Sequence, residues 1–387
     1  MAEIVVIGAG IAGLATATAL QQRGHCVTVI EERADTGSGA GISIWPNALA
    51  ALDVLGLGDR VRAAGGRVSG GAIRWKDGSW LRRPSRERMV TALGEPLVVI
   101  QRAALRDVLA QALAPGTVIH GVAARALTVT EQGVQVQLSD SSTRAADAVV
   151  GADGTHSVVA RHLNGPLAHR YAGYTAWRGV AEMAVDDELA GETMGPGSEV
   201  GHVPMGDGRT YWFATERVAE GGAAPQGELT YLRSKLASWA EPIPTMLAAT
   251  DPGDVLRNDL YDRRTARCWA AGPVVLVGDA AHPMRPHLGQ GGCQALEDAA
   301  VLGALVEITA DLPSAFSAFE SFRRRRVSGV VRESRTIGQL VNLRPALLGT
   351  AVSRATVVVP EFAMTRHLAT IASRSAFRLP TGVSAGQ

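Results

Sequence analysis

Two hydrophobic rhythms alternate along the chain. Short runs that are apolar at nearly every position, Ile4-Val5-Val6-Ile7, Cys26 to Ile30, Ala145 to Val150 and Val274 to Val277, have the pattern of strands covered on both faces of a parallel sheet. Stretches with apolar residues three and four apart, Leu14 to Arg23, Ala48 to Leu57, Ala103 to Ala114, Ala299 to Val306 and Ala315 to Leu343, predict helices. Strand followed by helix, repeated, is the mark of an α/β fold.

A second kind of pattern interrupts the first. Ser69 to Leu81 alternates around Asp77-Gly78 and reads as a hairpin, while Val118 to His120, Ala126 to Thr130 and Val134 to Leu138 read as short strands. From Tyr171 the chain turns to alternating segments, Tyr174 to Val180, Glu199 to Pro204 and Thr210 to Thr215, with turns at Gly206-Asp207-Gly208 and Gly221-Gly222. Leu229 to Trp239 predicts a helix stopped by Pro242 and Pro244, and the α/β rhythm resumes at Val274. The expectation is a Rossmann-like nucleotide-binding domain made of residues 1–70, 98–170 and 265–330. A mixed or antiparallel β-sheet substrate domain, residues 71–97 and 171–264, is inserted into it, and residues 331–387 form C-terminal helices.

Composition narrows the function classes. With 387 residues the chain has room for two domains, and 38 Lys plus Arg against 37 Asp plus Glu leave a formal charge of +1. No basic stripe interleaved with aromatics is present, so nucleic acid is not an expected partner. Cys26, Cys268 and Cys293 lack metal-ligand or redox-pair spacing, which predicts free thiols, no metal and a reducing compartment. The first strand starts at Glu3 with no room for a signal peptide before it, so a cytoplasmic location is expected. The apolar stretch Ala346 to Met364 is broken by Arg354, Pro360 and Glu361, and predicts a buried or partner-facing helix in place of a membrane span. A monomer or homodimer acting on a small molecule fits these bounds.

The chemistry concentrates in three places. Gly8-Ala9-Gly10-Ile11-Ala12-Gly13 follows a strand and opens a helix, and Glu31 ends the next strand. That is the dinucleotide fingerprint in its required context: Gly8 for the tight turn, Gly10 to admit a pyrophosphate, Gly13 for helix–strand packing and Glu31 for ribose hydroxyls. Ala12 lies within the fingerprint, and Glu32 is a second candidate at the adenosine. Next, Ala145 to Val150 delivers Gly151-Ala152-Asp153-Gly154-Thr155-His156-Ser157 into a helix that carries Arg161. Third, the strand at Val274 ends in Gly278-Asp279, and Pro286 with Gly289, Gly291, Gly292 and Cys293 leads into another helix. Glycines there let backbone N–H groups approach a flat, electron-rich ligand, and a helix N-terminus favours negative charge. Arg102, at a strand-to-helix junction, offers a guanidinium fork to phosphate or a ring system. Arg82, Arg83, Arg86 and Arg88 read as a solvated loop or an anion-binding cluster, and Arg323-Arg324-Arg325-Arg326 as a solvated helix face.

Taken together, Gly8–Gly13 with Glu31, the Gly151-x-Asp153-Gly154-x-x-Ser157 segment and the Gly278-Asp279 stretch resemble the single-component, class A FAD-dependent aromatic hydroxylases, from residue 3 to about residue 330. The resemblance implies that the first motif binds the ADP half of FAD and that Arg102 and the backbone near Ala124 add contacts. By the same resemblance Asp279 holds the ribityl and pyrophosphate region, and Gly289 to Cys293 lie against the isoalloxazine ring. Asp153 and Gly154 match a motif associated with FAD and NAD(P)H; an Arg usual three residues after its Ser is Ala160 here, with Arg161 next. The implied reaction uses NADPH or NADH as transient electron donor and O2 as co-substrate, through a flavin C4a-hydroperoxide, with Pro286 beside the point of oxygen attack. Since the cofactor carries the hard step, the protein positions, desolvates and tunes.

For the substrate, the inserted sheet offers Trp177, Arg178, His202, Tyr211 and Phe213, of which alternation lets only some face the flavin. An electron-rich phenol or polycyclic natural product is expected ahead of urate. A flavin epoxidase or reductase on the same fold is the alternative; a halogenase lacks its Trp-x-Trp-x-Ile-Pro signature here, and a non-enzymatic dissociation-inhibitor-type protein would not need Asp279 with the Gly289–Gly292 cluster.

Overall fold

The structure, a computed structural model, describes residues 1–34, 40–341, 354 and 358–381. Most of the Ala346–Met364 stretch therefore lies outside the described residues.

The apolar runs assemble a six-stranded sheet in the order Ala270–Ala271, Val274–Leu276, Ala148–Gly151, Glu3–Ile7, Cys26–Glu31, Val118–His120. All neighbours pair in parallel except the first two strands. Helix Ile11–Gln21 packs against helix Gly291–Ile308, whose residues Cys293 to Leu305 are all buried. A helix buried all round belongs in a core, and this one runs through the middle of the nucleotide-binding domain, its buried Glu297 and Asp298 paired with arginines.

The run Ala145 to Val150 does not form a single strand. Thr143–Ala146 joins an antiparallel three-stranded sheet with Gly133–Leu138 and Ala124–Thr130, and Ala148–Gly151 joins the parallel sheet. Asp147 sits at the break, its carboxylate accepting from Glu3 N at 2.7 Å and its own N–H donating to Glu3 O at 2.8 Å. Gly41–Ile44, Leu97–Gln101 and Gly66–Val68 form a further small antiparallel sheet.

The alternating segments build a seven-stranded sheet: Leu256–Arg263, His169–Ala181, Thr210–Glu216, Ser198–Pro204, Gly191–Gly195, Ala72–Trp75, Trp80–Arg82. One face carries helices Glu228–Leu236 and Ile243–Ala248 over Trp177, Val200 and Trp212. Its other face looks toward the nucleotide-binding domain across a cleft. Among the described residues no helix is long and apolar enough to cross a membrane.

The arginine run on helix Leu312–Val341 corrects the expectation of a solvated face. Arg323 is buried, its guanidinium bonded to Glu297 and Asp298, and Arg326 also pairs with Glu297. The helix faces inward at every third or fourth position, so a consecutive run cannot lie on one face. Arg82, Arg83 and Arg88 are engaged at the surface, with Val359 O, Glu188 and Glu361 respectively.

Candidate active site

At two of its three glycines the fingerprint leaves no room for a side chain. Gly8 has φ +102°, and a Cβ there would lie 2.5 Å from Ala152 O. At Gly13 a Cβ would fall 1.8 Å from Gly8 O, whereas at Gly10 it would meet nothing within 4 Å. Gly10 opens onto the cleft, and so do Ile11 and Ala12, the first residues of helix Ile11–Gln21. That helix has no side-chain cap and no acid in its first turn, which leaves its N–H groups and positive dipole end for an anion. Glu31 accepts from Ala9 N at 2.7 Å and from Arg33 N at 3.0 Å, so its carboxylate stands beside the fingerprint turn; Glu32 is exposed next to it. These features fit a dinucleotide.

Past the fingerprint the cleft widens into a cavity of about 470 Å³. One wall is the Asp279–Ala295 stretch, contributing Asp279, Pro286, Gly289, Gly291 and Gly292. Helix Gly291–Ile308 starts there, again without a side-chain cap, so its first N–H groups face the space a flavin ring would fill. Arg102 and Asp279 approach the same space.

Register decides which residues of the inserted sheet reach the cavity. Arg178 pairs with Phe213, and Val180 with Tyr211, so the residues on one face are Ala176, Arg178, Tyr211, Phe213 and Thr215, and these line the cavity. Arg178 donates to Asn258 Oδ1 at 2.9 Å, and the Tyr211 ring packs where a Cβ on Gly41 would be.

Trp177 and His202 point the other way. Trp177 Nε1 donates to Glu228 Oε2 at 2.7 Å in the core under the two helices. His202 is 1% exposed with both ring nitrogens unpartnered, and burial, then the nearby Arg74 charge, lowers its pKa to about 4. The expected place of His202 at the chemistry is therefore corrected: it occupies the opposite phase of its strand.

Cys293 is buried behind the cavity wall with its thiol pushed up to about 12 by burial, and it receives Trp45 N at 3.5 Å. Ala124 is buried at the start of its strand, Ala124–Thr130. Asp153 Oδ2 accepts from Val158 N at 2.7 Å, anchoring helix Val158–Asn164, burial raises its pKa, and its neighbours Ala152 and Gly154 line the cavity. Arg161, exposed, donates to His156 O.

Sequence reading missed Glu192, Glu199, Tyr174 and His287. Glu199 and His287 line the cavity, and Glu199 accepts from Thr215 Oγ1 at 3.1 Å and lies 3.4 Å from His287 Nδ1. His287 Nε2 is 2.7 Å from the Tyr174 hydroxyl. Glu192 opens into the cavity, its pKa pushed up to about 8 by burial and by the Glu199 charge. The alternation around Glu199 marked a strand but not its phase.

A cradle for a dinucleotide, continuous with a cavity between a glycine-lined helix start and an inserted sheet, has a direct match among known families. The model of the FAD binding domain family matches residues 1–334. This chain belongs to the class A FAD-dependent aromatic hydroxylases.

Its relatives agree. The aurachin C monooxygenase/isomerase of Stigmatella aurantiaca is 37% identical over 340 residues, covering 87% of this chain and 89% of that protein. The FAD-dependent urate hydroxylase of Klebsiella pneumoniae is 34% identical over 342 residues, covering 86% and 88%. The crystal structure of Klebsiella pneumoniae HpxO complexed with FAD and uric acid superposes with a TM-score of 0.90 at 29% identity, covering 96% of each chain. The hydroxylase is an FAD enzyme, and the residues at the cleft fit that cofactor: an open Gly10, two uncapped helix starts and an acid at the fingerprint turn.

Proposed function

We propose that this hydroxylase uses NADPH or NADH and O2 to hydroxylate a small aromatic or polycyclic substrate held against the inserted sheet. The observation that carries the reading is the apposition, in one cavity, of the Pro286–Gly292 wall and the Arg178, Tyr211 and Phe213 face.

Bound FAD, once reduced by the nicotinamide, supplies the oxygen-activating chemistry. The chain's own residues do the rest. Gly10 and the start of helix Ile11–Gln21 hold the pyrophosphate, with Asp279 and Arg102 near the ribityl chain. The first N–H groups of helix Gly291–Ile308, with its dipole, stabilise negative charge on the pyrimidine side of the flavin. Phe213 and Tyr211 give the substrate a flat, largely apolar surface on the inserted sheet. Arg178 orients an electronegative substituent.

The test is a screen of phenols, purines and polyketides with the FAD-loaded protein, following NAD(P)H oxidation and product together. A compound that raises both is expected. If none does, the hydroxylase assignment for this chain fails.

A further inference from the structure

One row of the seven-stranded sheet runs across the cavity floor. Arg178 pairs with Phe213, Phe213 with Gly201, and Gly201 with Glu192, so these four positions share a face on four adjacent strands. Strands lie about 4.8 Å apart, which puts the ends of the row roughly 14 Å from each other. Gly201 keeps the middle flat: a Cβ there would stand 2.1 Å from Phe213 Cε1, so the ring lies over the glycine. The floor is an aromatic plate with a guanidinium at one end and a carboxyl at the other.

The two ends differ in what they still need. Arg178 already donates to Asn258 and retains further N–H groups. Glu199, a diagonal neighbour of Glu192 in the adjacent strand, accepts from Thr215 and stands beside His287. The Glu192 carboxyl has no hydrogen-bond donor among the described residues. Arg74, on the paired strand, points from the opposite face toward Thr193, beside His202. The half-buried Glu192 carboxyl lines the cavity and is free to accept from a ligand's donor.

We propose that Glu192 and Arg178 set the substrate class: a flat ring with an N–H or O–H donor at the Glu192 end and a carbonyl or oxyanion at the Arg178 end, Glu199 keeping a carboxylate away from Glu192. This rests on the hydroxylase reading for its orientation toward the flavin. It sets the orientation of the ring, because the Glu199 charge repels an anionic substituent from the Glu192 end and leaves Arg178 as its partner.

The experiment is titration of the FAD-loaded protein, read by the change in flavin absorbance, with two probes: 4-quinolone, whose N–H and carbonyl stand at opposite corners of one ring, and its N-methyl derivative. The wild type is expected to bind the N–H ring about 10-fold more tightly than the N-methyl ring, the scale of one hydrogen bond to a buried acceptor. Glu192→Leu, with flavin retained, erases that preference. Equal binding of the two quinolones by the wild type, a preference that survives in Glu192→Leu, or no binding of the N–H ring overturns the proposal. Discrimination without turnover of any compound contradicts the hydroxylase reading and leaves this one standing; turnover of a screened compound without N–H preference does the reverse.

Discussion

Arg323 Nε donates to Asp298 Oδ1 at 2.7 Å, and both side chains are sealed from solvent. The other oxygen of Asp298 accepts from Gly278 N at 2.8 Å and lies 2.6 Å from His282 Nε2. An arginine on the long C-terminal helix thus holds, through one carboxylate, the turn that presents Asp279 to the cofactor cleft. Burial alone would raise the Asp298 pKa; the His282 and Arg323 charges outweigh it and keep the group ionised.

Removing Arg323 leaves Glu297 and Asp298 buried with less compensation. Arg323→Leu is expected to cost about 3–5 kcal/mol, read as a lower urea midpoint. Flavin affinity falls with it because the Gly278–Asp279 turn loses its anchor. A midpoint within error of wild type would show that the network is dispensable.

The fingerprint glycines separate into two kinds. Gly13→Ala places a methyl group against Gly8 O and is expected to lower stability and abolish flavin binding together. Gly10→Ala has free space for its methyl, so the apoprotein keeps its melting temperature while FAD affinity drops, the methyl occupying the approach of the pyrophosphate. Calorimetry with and without FAD distinguishes the two.

His202 makes stability depend on pH. Its folded pKa of about 4 lies below the ordinary histidine value of 6.5, so between these values the unfolded chain binds a proton that the folded chain does not. Stability is therefore full above pH 6.5 and falls as the pH drops toward 4, by on the order of 3 kcal/mol. Urea midpoints at several pH values are expected to show this slope in the wild type and a shallower one in His202→Leu. Identical slopes would remove His202 as the cause.

Thiol reactivity tests where Cys293 sits. Cys26 and Cys268 are half-buried and Cys293 is buried with its pKa raised to about 12. A thiol reagent at neutral pH is expected to leave Cys293 unmodified until denaturant is added. Rapid native labelling of Cys293, located by peptide mass, would put it on the cavity surface after all.

Much of the cofactor half was legible because its signals are local. Gly8, Gly10 and Gly13 act within one turn, and the apolar runs at Ile4 and Val274 need no partner to be recognised as buried strands. The substrate half was less legible because its meaning is in register. Whether Arg178 or Trp177 faces the cavity depends on the phase of one strand against its neighbours, and a slip of one residue exchanges the two. Glu192 gains its character from Gly201 and Glu199 on another strand. Arg323 looked like one member of a charge run, since its partners Glu297 and Asp298 are a helix away.

The central claim is that FAD and an aromatic substrate meet between the Pro286–Gly292 wall and the Arg178–Phe213 face. It is tested most directly by supplying the FAD-loaded protein with NAD(P)H, a substrate from the screen and isotope-labelled molecular oxygen, and weighing the product. The account predicts a product heavier by a single labelled oxygen atom, with label lost when Phe213 is replaced by a charged residue that leaves the flavin bound. An unlabelled product, or a protein that stays colourless after incubation with FAD, would contradict it.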